Sequence, residues 1–198
     1  MGNYKWMDND SDREKDYKVI FFVSRNKDNG DILGFKERRE SYFRHYNEDK
    51  IRAKFKDFVN HGLPGEFCRM YVSNNARNPN KVHKELLKLL IDKDEFNFDY
   101  IEPTIAGIAA KKECAAESKW FFDFDDNDIY HLHEFIHDIN KCAPDVKVSY
   151  NQTPHGYAVI VDRGFDTREL FETWGDKVTL KRDDLICVDW EFKPYENN

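Results

Sequence analysis

The chain has 198 residues, 40% of them hydrophobic and 15% aromatic, enough for one domain with a real core. Charged residues make up 35% and the net charge is −7, which excludes a general polyanion sponge and leaves room for a local basic groove. Cys68, Cys114, Cys142 and Cys187 form no C-x-x-C pair, which sets aside a zinc ribbon and a disulfide framework and favours a reducing, cytoplasmic setting.

Residues 1–16 are polar and charged (DNDSDREKD) and read as a flexible N-terminus. They contain no apolar signal region, and Trp6 stands where a myristoylation signal needs Ser or Thr. Residues 18–23 (KVIFFV) read as a strand, Asp28-Asn29-Gly30 as a turn, and 32–35 as a return strand. Asn47 can cap a helix that carries Ile51, Phe55, Phe58 and Val59 on one side, stopped by His61-Gly62 and Pro64-Gly65. Residues 67–73 (FCRMYVS) form the next strand. Asn78-Pro79 opens a helix with Val82, Leu86, Leu89 and Leu90 on its apolar face.

Residues 104–117 are Ala-rich and read as helical, 120–125 as a strand, and 126–140 as a helix. Two strands follow at 146–150 and 157–161, separated by Thr153-Pro154-His155-Gly156. After a short helix beyond Thr167, residues 178–180 and 185–188 read as a closing hairpin. No apolar run approaches the length of a membrane span. The order predicts an α+β fold, an antiparallel-rich mixed sheet with packed helices. Residues 17–66 are expected to share a domain with a core at 67–198.

Two metal-site patterns lie within KWFFDFDDNDIYHLHEFIH, residues 119–137. Asp123 and Asp125 are two apart on a strand, so their carboxylates project to one face beside a helix start. Such a pair repels itself unless a cation sits between, and it suits magnesium or manganese, which bring phosphate substrates. The plainer reading is a helix cap from Asp125, Asp126 or Asn127. It does not explain why Asp123 interrupts an aromatic run.

His133-Glu134-x-x-His137 matches the zinc-protease pattern H-E-x-x-H. Nothing singles out a third ligand, though Glu169 and Glu172 are available. The helix phase, with Ile129, Leu132, Ile136 and Ile139 as the buried stripe, puts these three residues at its margin and on the solvated flank. FFDFDD also looks like the opening of haloacid-dehalogenase-type phosphatases, but Asn127 occupies the Thr or Val position and only 73 residues follow Asp125.

KWFFDFDDND, a helix, a strand and then TPHGYAVIV together resemble the catalytic core of archaeo-eukaryotic primases and primase-polymerases. RMYVSNNARNPNK resembles a segment of some members in which a strand runs into Asn-x-Arg near the nucleotide phosphates. The resemblance spans about 67–189. It implies an RRM-like core, a nucleoside triphosphate substrate, magnesium or manganese, and a single-stranded DNA or RNA template in replication of the phage or plasmid kind. Carried over, Asp123 and Asp125 hold metal, and Asp189 is the third carboxylate with Asp162 as substitute. Arg77 and Asn75 meet phosphate, and Gly156 lets the backbone approach the nucleotide.

One position departs from the pattern. The motif His falls on Ala158; His155, before the turn Gly, would reach phosphate from a different direction or serve only as a turn residue. This keeps open a second reading, a non-catalytic nucleotide- or protein-binding module on the same fold. Plainer roles also remain for Arg77 (a surface ion pair), for the 153–156 turn, and for Trp120, Phe121 and Phe122 (core rather than base stacking).

Overall fold

The computed structural model describes residues 16–195, so the reading of 1–16 as flexible lies almost wholly outside the described residues. The fold is α+β, with two four-stranded sheets whose strand pairs are all antiparallel. In the first, β1 (Tyr17–Ser24), β2 (Arg38–His45), β3 (Phe67–Ser73) and β8 (Leu185–Phe192) run in the order β2-β1-β3-β8. In the second, β4 (Trp120–Phe124), β5 (Val148–Thr153), β6 (Gly156–Val161) and β7 (Val178–Lys181) run β5-β6-β4-β7.

The first sheet is covered on both sides. Ile20, Phe22, Cys68 and Met70 face α2 (Glu48–Asn60) through Ile51, Phe55, Phe58 and Val59. Val19 and Phe21 face α3 (Pro79–Asp92) and α4 (Ile101–Ala109) through Val82, Ala106 and Ile108. Two buried faces are why β1 is a continuous apolar run instead of an alternating one.

The second sheet is built from one stretch of chain. β4, α5 (Ile129–Cys142), β5, β6, α6 (Arg168–Trp174) and β7 follow in order, a split βαβ arrangement with the third strand lying between the first and second. Phe122, Phe124, Val159 and Val161 pack on Leu132, Phe135, Leu170 and Trp174. The opposite face puts Phe121, Ala158 and Ile160 against Ile186 of β8, so the two sheets meet there.

Several expectations are corrected. Residues 32–35 are turns, with a short helix α1 (Asn26–Asn29) before them, and the return strand is Arg38–His45. That strand is a sheet edge, so RRESYFRH is polar and gave no apolar signal. The stretch 104–117 divides into α4 and a 3₁₀ turn, Lys112–Cys114.

Residues 178–180 and 185–188 are no hairpin. β7 pairs with β4 and β8 with β3, so the chain changes sheets at Arg182-Asp183-Asp184. β8 thereby supplies hydrogen-bond partners to an edge of β3 that would otherwise be bare.

α5 starts at Ile129, and its cap is Asp128, which accepts from the Tyr130 amide at 2.8 Å; Asp125 and Asn127 do not serve. Asp126 assists by accepting from the Asp128 amide. In the apolar stripe of α5, Phe135 is fully buried, whereas Ile129 is exposed.

Candidate functional site

Along β4 the side chains alternate. Phe122 and Phe124 enter the helix-covered core, while Phe121 and Asp123 face the first sheet. Asp123 is half-buried, opposite Ala158 on β6 and Thr179 on β7. Asp125 is exposed just past the strand end, where its amide donates to the Lys177 carbonyl at 2.8 Å. Burial first, and then the charge of Asp125, push the Asp123 carboxyl above its ordinary range, while Lys181 and His155 pull it back. The pair is under electrostatic tension that a cation would relieve.

The turn joining β5 to β6 reaches the same place. A Cβ at Gly156 would sit 2.0 Å from the Phe124 carbonyl oxygen and 2.9 Å from the Asp126 amide, so only glycine lets the turn lie against the D-x-D backbone. His155, on this turn, is exposed, and its Nε2 is 3.3 Å from an Nη of Arg69 on β3. Arg69 is also held by Asp28 at 2.7 Å. His155, which acts on the Asp123 carboxyl, thus also touches the first sheet through Arg69. Ala158, where the motif His was expected, lies directly across from Asp123 and is buried.

The remaining predicted site residues lie elsewhere. Asp189, opposite Met70, faces α2 and is ion-paired with Arg52, which also holds Glu48 at 2.9 Å. Burial raises the Asp189 carboxyl and Arg52 lowers it. Asp162 follows the far end of β6 and accepts from the Lys147 amide at 3.1 Å, a strand-end contact.

Arg77 is not the surface residue of the plainer reading. Its side chain is 1% exposed and bonds Asp183 at 2.9 Å. Asn75 donates to the Lys119 carbonyl and to Asp183, both at 3.0 Å, and accepts from the Lys119 amide at 2.8 Å. Asn75 is thus tied to the start of β4. Asp123 lies four residues farther on, about 13 Å along an extended strand.

His133, Glu134 and His137 are all exposed on the outer side of α5. Among the described residues, no group of three His, Cys, Asp or Glu side chains is gathered to hold a metal ion. Asp123 and Asp125 supply two carboxylates. That is a sufficient protein share for magnesium, which commonly keeps waters and takes one or two carboxylates plus substrate phosphates.

No protein-family model, curated protein or solved structure matches this chain. Among the described residues, no helix is long and apolar enough to cross a membrane.

The sequence pattern alone does not single out Asp28 or Lys181. A signal for Arg69 was present: a charge inside FCRMYVS breaks a buried strand, just as Asp123 breaks WFFDF.

Proposed function

We propose that this protein binds a nucleoside triphosphate with magnesium or manganese at Asp123 and Asp125. It would do so as a diverged primase-polymerase-like domain with an RRM-like core, acting in nucleic-acid synthesis of the phage or plasmid kind. The observation that carries the reading is the meeting of two motifs. The D-x-D ends the first strand of a split βαβ unit, and the Thr-Pro-His-Gly turn lies against its backbone through Gly156.

Asp123 and Asp125 would hold a divalent ion, which would offset their charge and supply electrostatic stabilisation to a triphosphate. Lys181 adds positive charge near Asp123. The test is calorimetric titration of a nucleoside triphosphate with manganese into the native protein and into Asp123→Ala/Asp125→Ala. Manganese-dependent binding that disappears in the double variant supports the reading. Equal binding by both proteins, or none by either, sinks it.

A second reading, binding without nucleotidyl transfer, is favoured by Ala158 opposite Asp123 and by Arg52 holding Asp189. Template-directed extension with manganese separates the two. A product made by the native protein and not by the double variant selects transfer. Binding without product selects the module.

A further inference from the structure

At the opposite end of β4 from Asp125 there is a hollow of about 420 Å³, lined by Asn75, Lys112, Glu117, Trp120, Arg182 and Asp183 among others. Its size falls within the roughly 300–1,000 Å³ of small-ligand sites. Its acids are already matched. Asp183 is bound by Arg77 at 2.9 Å and by Asn75 at 3.0 Å. Glu117 pairs with Lys119 at 3.0 Å and accepts from the Ala76 amide at 3.1 Å.

Its cations are not matched. Neither Lys112 nor Arg182 makes an ion pair among the described residues. Arg182 instead lies over the Trp120 ring, 5.2 Å from its centroid. Trp120 is fixed from behind, because it packs on the α5/α6 core. The chain also passes it so closely at Gly164 that a Cβ there would come within 2.2 Å of the ring.

The lining thus combines an immobilised aromatic ring, a planar guanidinium and an ammonium unpaired among the described residues, with both carboxylates occupied. Such a surface recognises a flat ring that carries negative charge. A guanidinium and an indole both stack on heterocycles, and an ammonium meets phosphate.

We infer that this hollow is a second binding site, for a nucleotide unit, with the base against Trp120 and Arg182 and the phosphate on Lys112. It needs no metal and is separate from Asp123 and Asp125, so it stands whether or not the D-x-D reading does. The unit could be a free mononucleotide or one residue of a single strand, since both present the same ring and phosphate.

The experiment is titration of the full chain with adenosine 5′-monophosphate, and separately with a short 5′-phosphorylated oligothymidylate, in the presence of a chelator. Calorimetry and indole fluorescence give the readout. Saturable binding is expected, weakened about tenfold or more in Arg182→Glu and in Lys112→Glu, each checked as folded by circular dichroism. Asp123→Ala/Asp125→Ala should bind as the native protein does. Comparable affinity for the two probes identifies a free nucleotide as the ligand, and much tighter binding of the oligomer identifies a strand. Failure of both probes to bind saturably, or undiminished binding by the two charge reversals, overturns the inference.

Discussion

The two ends of β4 treat their carboxylates in opposite ways. At the Lys119 end, Asn75, Arg77 and Asp183 form a knot in which the carboxylate is matched by hydrogen-bond donors. At the Asp125 end, two carboxylates make no ion pair with a base among the described residues, and Asp123 is raised by burial and by its neighbour. The matched end holds elements together. The unmatched end is where the proposed cation would gain its binding energy. Charge inside a strand pattern therefore does not by itself mark a site; what matters is whether it is satisfied from within.

Breaking the matched end should cost the most. Arg77→Ala leaves Asp183 beside a vacated partner, and the native fold should lose roughly 3–5 kcal/mol, read by urea denaturation. Manganese binding by the molecules that remain folded should be unchanged. A loss below about 1 kcal/mol would mean that the knot is a surface-type pair instead.

Gly156→Ala tests the meeting of turn and strand. Its Cβ would strike the Phe124 carbonyl, and a loss of about 2 kcal/mol or more is expected, together with weaker metal binding. Unchanged stability would show that the turn can lie elsewhere.

Asp123→Asn should have the smallest effect on stability, and of opposite sign. Its raised carboxyl means that the folded chain holds this proton more tightly than the unfolded chain does. The group's contribution is fully present below the unfolded carboxylate range and is lost as pH rises through the raised folded value. Near neutral pH the ionised Asp123 is therefore a net cost. Asp123→Asn should raise the melting temperature slightly there and leave it unchanged in strong acid. Manganese should stabilise the native protein and not the variant.

The parts of the fold legible in the sequence were local ones. Asn47 and Asn78 cap α2 and α3 as their types and spacing indicate, because capping involves only the next three residues. β3 and β4 were legible from apolar content. The partners of strands were not. β2 is polar because it is an edge, and nothing within Leu185–Phe192 indicates that its partner is β3 and not the adjacent β7.

The candidate site followed the same division. The D-x-D and the turn glycine are short-range features, and they do meet. The partners of Arg77 and Asp189 come from distant segments, Asp183 and Arg52, and residue type alone could not assign them.

The passage of the chain from β7 to β8 has a consequence for synthesis on the ribosome. The split βαβ unit, being contiguous, has all its strands once Lys181 has emerged. The first sheet has three of its strands much earlier but waits for β8, made after β7, to cover β3. Until then a nascent chain carries an open row of backbone donors and acceptors beside a finished neighbour, a period of exposure to mispairing and to chaperones. A chain stopped before Leu185 would remain in that state, with an adhesive edge where the two sheets should have met.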